Sequence, residues 1–230
     1  MKAKAVWFLI WCRAVAGWEV DSRVINGTIV PEGQYPEMIL ITTEKSWCSS
    51  TLIGPRVILT AAHCARVGSE ISYTHQGITY RGIVAHSPRY AIDYSHDIAV
   101  AAMDQENRDI KPATVGGKAF SNTPAQLLGF GCTAQGGGYD KKLRVGNTRI
   151  TSYSGYYMYL RGGGIACPGD SGGAAFVSDN GERYLLGVTS RTDFQSGSYS
   201  TRLDVGESES FLRSFGAKHN VDICGINSNC

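Results

Sequence analysis

The chain has 230 residues, of which 43% are apolar, 18% are charged and 28 are glycine, and its formal net charge is +2. This length is sufficient for a large core in one double-barrel fold or in two small domains. The small net charge, without a long basic or acidic block, argues against nucleic acid and against stable membrane association. Few long helical patterns and abundant glycine indicate an all-β protein.

The N-terminus has the pattern of an export signal. Lys2 and Lys4 precede an apolar run over residues 5–12, and residues 14–16 form a small-x-small cleavage site. The run is too short to span a bilayer. We therefore predict a signal peptide over residues 1–16 and a secreted protein, extracellular or, in a Gram-negative bacterium, periplasmic. A buried N-terminal strand is the alternative.

About a dozen short apolar runs separated by turn-rich segments predict the strands of a sandwich or barrel. The runs cover residues 38–42, 51–53, 57–60, 71–80, 83–85, 98–103, 125–129, 143–150, 156–159, 174–177, 184–189 and 198–203. Residues 207–219 alone have a helical pattern. The polar stretch 104–117 is the candidate crossover between two halves.

One segment has the character of a nucleophile loop. Residues 167–173 place Ser171 between an acid, Asp170, and two glycines. Glycine suits a tight bend that leaves backbone N–H groups free to meet a substrate carbonyl. By itself this is also an ordinary turn sequence.

Two upstream segments supply the partners that such a serine needs. His63 follows three small residues and precedes Cys64, which suggests an imidazole held beside a covalent crosslink. Asp97 stands at the entrance to an apolar strand, where a buried carboxylate requires a donor such as an imidazole N–H. A lone histidine or aspartate is more often structural, but here three specific contexts occur in one chain.

Together these segments resemble the chymotrypsin/trypsin family of serine endopeptidases. Thr60–Cys64, Asp97–Ala99 and Gly169–Gly173 match the family's motifs in type and order, and the resemblance extends over residues 24–218. It implies an all-β fold of two packed six-stranded antiparallel β-barrels with a C-terminal helix. The peptidase domain would cover residues 24–230, with one barrel over about 24–110 and the other over about 111–230.

The resemblance also implies a role for each candidate residue. Ser171 would be the nucleophile and His63 the general base, with Asp97 orienting the imidazole. The backbone N–H groups of Gly169 and Ser171 would form the oxyanion hole, and Ser190 would support Asp97. Protein or peptide substrates are implied, together with a monomer that needs no cofactor. A catalytically silent binding homologue is the rival interpretation, and the presence of all three catalytic residues argues against it.

A further resemblance concerns activation. Arg23 and Val24 match the family's cleavage site, so residues 17–23 would be an activation propeptide that an activating protease removes. The new amino terminus of Val24 would insert and pair with Asp170, which would be costly to bury without a cation. The precursor would then be a zymogen. The alternative is that Arg23 is only a surface arginine.

Seven cysteines predict disulfides in an exported chain, and Cys12 lies within the signal. Cys48–Cys64 matches a bridge of the family. Cys224–Cys230 would close a small C-terminal loop, which leaves Cys132–Cys167. A bond from Cys132 or Cys167 to the C-terminal pair is the alternative. No Cys-x-x-Cys pair is present, so a structural zinc site is not expected. Glu70 is the only acid in residues 65–87, so the family's calcium loop is not expected either.

The specificity pocket departs from that of trypsin-like members, which have an acid at the base. Ile165 occupies that position here, Thr192 replaces a glycine of the wall, and Gly197 would line the opposite wall. These residues predict a preference for small or medium aliphatic side chains. Arg191 replaces the family's usual aromatic residue. The alternative is that Asp193 points inward and recruits Arg or Lys.

Overall fold

A computed structural model describes residues 24–133 and 136–230. The predicted signal peptide (1–16) and propeptide (17–23, including Arg23) lie outside the described residues.

A short strand, β1 (Thr28–Ile29), precedes the first barrel. The barrel contains β2 (Met38–Thr42), β3 (Trp47–Gly54), β4 (Val57–Thr60), β5 (Glu70–His75), β6 (Ile78–His86) and β7 (Ala99–Met103), and it closes in the order β2-β3-β4-β7-β6-β5. Every residue of β4 is buried. A continuous apolar run rather than an alternating one is expected for a strand covered on both faces.

The predicted strand over residues 71–80 is a hairpin in the structure. The chain reverses between β5 and β6 at Gln76 and Gly77, whose φ angles are 47° and 80°. Two consecutive positive φ values are typical of the type I′ turn, whose twist matches that of the flanking strands. The turn was missed because glutamine, unlike asparagine, is not a usual residue at its first position.

The second barrel contains six more strands. They are β8 (Pro124–Gly129), β9 (Arg144–Ser154), β10 (Tyr157–Arg161), β11 (Ala174–Asp179), β12 (Glu182–Thr192) and β13 (Gly197–Arg202). The sheet runs β9-β10-β13-β12-β11-β8 and closes through a pairing of β8 with β9. Although β1 lies in the N-terminal half of the sequence, it pairs with β9 of this second barrel.

In the part of the chain that the structure describes, two α-helices accompany the barrels. The C-terminal helix α2 (Gly206–His219) agrees with the predicted range 207–219 and buries Leu212 and Phe215. The six-residue helix α1 (Pro88–Asp93), between β6 and β7, was not predicted. It has no buried residue, so the apolar periodicity that reveals a helix is missing.

The two closed six-stranded barrels and the C-terminal helix confirm the predicted all-β fold. Neither helix in residues 24–133 and 136–230 has the length and apolar character required to cross a membrane. The loops that matter below come from both barrels. In the first barrel, one of these loops follows β4 and another precedes β7. In the second barrel, the loop precedes β11.

Candidate active site

The predicted catalytic histidine and aspartate meet between the two barrels. His63 lies in a 3₁₀ turn (Ala62–Cys64) directly after β4, and Asp97 lies just before β7. Because β4 and β7 are paired neighbours, the end of one strand and the start of the other lie side by side. His63 Nδ1 is 2.7 Å from Asp97 Oδ2, and the His63 backbone N–H donates to Asp97 Oδ1 at 3.0 Å.

Asp97 is held from the second barrel as well. The Ser190 hydroxyl, on β12, donates to Asp97 Oδ2 at 2.6 Å. Burial raises the pKa of Asp97, but hydrogen bonds from His63 and Ser190 and attraction to His63 outweigh it, so the pKa is lowered. An ionised carboxylate only accepts hydrogen bonds, so His63 Nδ1 must be the donor. In the neutral ring this leaves Nε2 as the acceptor.

Ser171 lies beside this pair on a loop docked against the first barrel. Its carbonyl accepts a hydrogen bond from the Ser49 N–H at 2.9 Å and is 3.7 Å from Cys64 Sγ, next to His63 in the chain. Within the described part of the chain, no hydrogen bond joins the Ser171 hydroxyl to His63. Catalytic hydrogen bonds in free enzymes often tighten only when substrate is bound.

The loop before Ser171 leaves two backbone donors free. Among the described residues, neither the Gly169 N–H nor the Ser171 N–H donates to a protein acceptor. Gly169 has a φ of 96°, and a Cβ there would come within 2.2 Å of the Trp47 ring. Only glycine therefore fits this position. The two N–H groups are the donors that the resemblance assigns to an oxyanion hole.

Asp170 is fully buried. Its carboxylate accepts hydrogen bonds from the Gly131 N–H at 2.7 Å and the Cys167 N–H at 2.9 Å. Burial raises the pKa of Asp170 to about 7, although these two bonds and the charge of Arg144 act in the opposite direction. In residues 24–133 and 136–230, Asp170 forms no ion pair.

Val24 and the residue after it are already docked on the second barrel. The Val24 side chain is 1% exposed and belongs to the core cluster that contains Leu127 and Ile150. The Ile165 N–H donates to the Ile25 carbonyl at 2.9 Å. The segment after Arg23 therefore lies against the loop that leads to Ser171.

A cavity of about 280 Å³ opens beside Ser171. The residues that line it are Ala166, Cys167, Pro168, Ser171, Thr189, Ser190, Arg191, Thr192 and Phe194. Of the three residues predicted for the pocket, Thr192 is among the residues that line the cavity, whereas Ile165 and Gly197 are not. Ile165 pairs instead with Ile25, and Gly197 pairs with Arg161 on β10.

Asp193 is engaged within its own turn rather than in the cavity. Its carboxylate accepts hydrogen bonds from the hydroxyls of Tyr159 and Ser196, both at 2.6 Å, and from the backbone N–H groups of residues 195–197. The Ser196 and Tyr159 hydroxyls are the main cause that lowers the pKa of Asp193. This arrangement leaves the carboxylate little capacity to bind a basic substrate side chain.

Comparison with known proteins agrees with this geometry. A family model described as Trypsin matches residues 24–203. The chain belongs to the trypsin family. It is 30% identical over 216 residues to chymotrypsin-like elastase family member 1 of Bos taurus, covering 75% of this chain and 80% of that protein. It is 27% identical over 206 residues to trypsin II-P29 of Gallus gallus, covering 77% and 82%. It is 26% identical over 205 residues to coagulation factor IX of Cavia porcellus, covering 73% and 72%. Membership of the trypsin family supports a serine peptidase.

The described residues of this trypsin-family chain contain three disulfides, and two of them lie next to the site. The three are Cys48–Cys64, Cys132–Cys167 and Cys224–Cys230, the pairs favoured above. The second bond ties the loop of Gly131 to the loop of Ser171. The described residues contain no group of three or more His, Cys, Asp or Glu side chains that could hold a metal ion.

Sequence reasoning missed two residues that shape the site. Phe194 lines the cavity with a φ of 60°, a conformation that a phenylalanine pattern does not indicate. The buried Ser49 hydroxyl donates to the Gly169 carbonyl at 2.8 Å and accepts from the Phe130 N–H at 2.9 Å. The polar triplet at residues 49–51, directly before an apolar run, was the available signal for Ser49.

Proposed function

We propose that this trypsin-family chain is an active serine endopeptidase, with Ser171, His63 and Asp97 as its catalytic residues. The observation that carries the proposal is the short contact between His63 Nδ1 and the buried Asp97, beside a serine loop with two free N–H donors. A carboxylate that fixes the imidazole tautomer leaves Nε2 as a base directed at the nucleophile.

In the proposed mechanism, Ser171 Oγ attacks the substrate carbonyl carbon while His63 Nε2 takes the hydroxyl proton. The carbonyl oxygen becomes an oxyanion and accepts hydrogen bonds from the N–H groups of Gly169 and Ser171, each worth on the order of 10²–10³ in rate. His63 then gives its proton to the leaving amine, and the acyl-enzyme forms. Water then attacks the ester carbon while His63 takes one of its protons, and His63 returns that proton to Ser171 Oγ as the ester bond breaks and the carboxylic acid product leaves.

We propose a preference for small or medium aliphatic side chains. The Thr192 hydroxyl is fixed by donation to the Gly197 carbonyl at 3.1 Å and acceptance from the Phe194 N–H at 3.0 Å, so its side chain stays in the cavity wall. The bovine relative named an elastase is consistent with this preference. The engagement of Asp193 argues against the alternative preference for Arg or Lys.

We further propose a secreted, monomeric zymogen that an activating protease cleaves after Arg23. The disulfides support an oxidising compartment. The buried position of Val24 and the lack of an ion pair at Asp170 among described residues support the zymogen. A new ammonium group at Val24 would supply the missing charge, at a place where its side chain is already buried.

Labelling with a fluorophosphonate probe tests the proposal. The chain is treated with trypsin, and labelling of Ser171 is compared before and after cleavage at Arg23, with Ser171→Ala as the matched control. We expect strong labelling only after cleavage. Absence of labelling in both states favours the silent binding homologue. Strong labelling before cleavage contradicts the zymogen but not the peptidase.

Cleavage of a peptide library by the mature enzyme tests the proposed specificity. We expect Ala or Val to be preferred over Arg as the residue that enters the cavity, because Thr192 narrows it. A strong preference for Arg contradicts the argument from Asp193.

A further inference from the structure

Arg191 is a cation in the active-site cleft that the proposed mechanism does not use. It lies on β12 between Ser190, which binds Asp97, and Thr192, which lines the cavity. Its side chain is exposed, and it lines the same cavity as Ser171. A charged residue this close to the reacting atoms influences which substrates are bound.

The guanidinium of Arg191 is held on an aromatic surface. Its central carbon is 4.6 Å from the ring centroid of Tyr157 and 4.8 Å from that of Tyr199. Contacts of this kind restrict the side chain, while the edge of the guanidinium keeps its N–H donors available. Arg191 is therefore positioned in advance of any ligand.

Arg191 has no anionic partner among the described residues. No carboxylate oxygen of residues 24–133 and 136–230 lies within 4.0 Å of its nitrogens. Seven other arginines of the described ranges do form ion pairs with Asp or Glu. Asp193, the nearest acid in sequence, is bound to its own turn and to Tyr159.

The backbone around Arg191 offers an open strand edge. Pairing of β11 with β12 ends at Ala174 and Val188, whereas pairing of β12 with β13 continues to Thr192. The Thr189 N–H and carbonyl still bond to the Gly173 carbonyl and the Gly172 N–H, so among the described residues this edge of β12 is unpaired only beyond Thr189, directly beside the Ser171 loop. An extended peptide can add to such an edge as a further antiparallel strand.

The geometry of that strand locates the contact. When the substrate residue whose side chain enters the cavity lies opposite Ser190, the residue before it lies opposite Arg191. Directly opposed residues of antiparallel strands present their side chains on the same face. We propose that Arg191 binds an acidic side chain at this position, the residue immediately N-terminal to the one in the cavity. Glutamate or aspartate there would form the bidentate pair that a guanidinium favours.

This inference depends on the proposed function, and the test separates the two. Two pools of acetylated peptide p-nitroanilides are used. In both pools, the residue whose side chain enters the cavity is drawn from an equal mixture of aliphatic and basic amino acids. The residue immediately before it is Glu in one pool and Gln in the other. The mature enzyme is assayed for kcat/KM on each pool. Because an exposed pair is worth less than a buried one, we expect Glu to exceed Gln by about two- to fivefold at low salt. The ratio should fall towards one at high salt.

Variants identify the residue responsible. Arg191→Gln should bring the ratio of Glu to Gln close to one, and Arg191→Lys should leave an intermediate ratio because a point charge loses the bidentate geometry. Arg108→Gln, a change at an exposed arginine paired with Glu106, should keep the wild-type ratio.

Three results would overturn the inference. They are a wild-type ratio of one or less, a ratio that persists in Arg191→Gln, and an equal or larger effect when Glu is moved one residue further upstream. Failure of the proposed function gives a different result, in which neither pool is hydrolysed and Ser171 takes no fluorophosphonate label.

Discussion

Replacement of Asp170 by asparagine in the uncleaved chain should destabilise the fold at pH 5 and stabilise it at pH 8. Asp170 is fully buried, and burial raises its pKa from 3.8 to about 7. Between these values the folded chain keeps the proton and the unfolded chain has lost it. Because the folded state binds more protons in this range, its stability falls as the pH rises.

The size of the effect follows from the two pKa values. One pKa unit corresponds to about 1.4 kcal/mol. From pH 5 to pH 8 the Asp170 side chain therefore removes about 3 kcal/mol of unfolding free energy, of which about 2 kcal/mol is lost by pH 7, and the loss levels off above pH 8. Asparagine does not titrate, but its NH₂ group faces one of the N–H donors of Gly131 and Cys167. This mismatch costs about 1 kcal/mol.

The measurement is urea unfolding of the full chain with its disulfides intact, in a Ser171→Ala background that prevents self-cleavage. We expect Asp170→Asn to be about 1 kcal/mol less stable than its parent at pH 5 and about 2 kcal/mol more stable at pH 8. Asp109→Asn, a change at an exposed carboxyl, is the control. If the stability difference caused by Asp170→Asn is the same at both pH values, the argument is refuted.

Four further predictions follow from the site. Asp97→Asn should lower kcat on peptides about 10⁴-fold, because an amide stabilises the wrong imidazole tautomer; a loss below tenfold contradicts this role. Thr192→Gly should shift the kcat/KM ratio of Leu to Ala substrates about tenfold towards Leu, and an unchanged ratio would remove Thr192 from the wall. Joint replacement of Cys132 and Cys167 by serine should cost about 4 kcal/mol in urea unfolding, since their bond closes a loop of sequence separation 35. A cost near zero would show that this bond does not stabilise the fold. Asp193→Ala should cost about 1 kcal/mol at pH 7, less than its hydrogen bonds suggest because the carboxylate is partly exposed to solvent. That cost should shrink below about pH 4. A carboxyl group whose pKa is lowered by folding stabilises the folded state only at pH values above its pKa in the unfolded chain. A cost that does not change with pH would argue against an ionised carboxylate at Asp193.

The catalytic candidates were recognisable in the sequence because each stands in a distinctive local context. Ser171 follows an acid and a glycine, and His63 adjoins Cys64. Asp97 precedes an apolar strand. Strands such as β4 were also predictable, because continuous apolar runs reflect burial on both faces.

The pocket was less predictable, because its lining depends on how loops fold. Position in the motif favoured Ile165 and Gly197, but the backbone pairs Ile165 with Ile25. Phe194 enters the wall through a left-handed conformation that no residue pattern signals. The role of Asp193 was likewise decided by the donors around it, which come from β10 and from its own turn.

The sequence by itself determined the class of fold, three candidate catalytic side chains and the cysteines available for crosslinks. These depend on residue types and their local order, which are present in the chain before it folds. The tertiary structure alone decided that Asp97 is shared by His63 and Ser190, that Asp170 is buried without an ion pair among the described residues, and that Arg191 lies beside an open strand edge. Such facts arise from contacts between segments distant in sequence, and only closure of the two barrels brings those segments together.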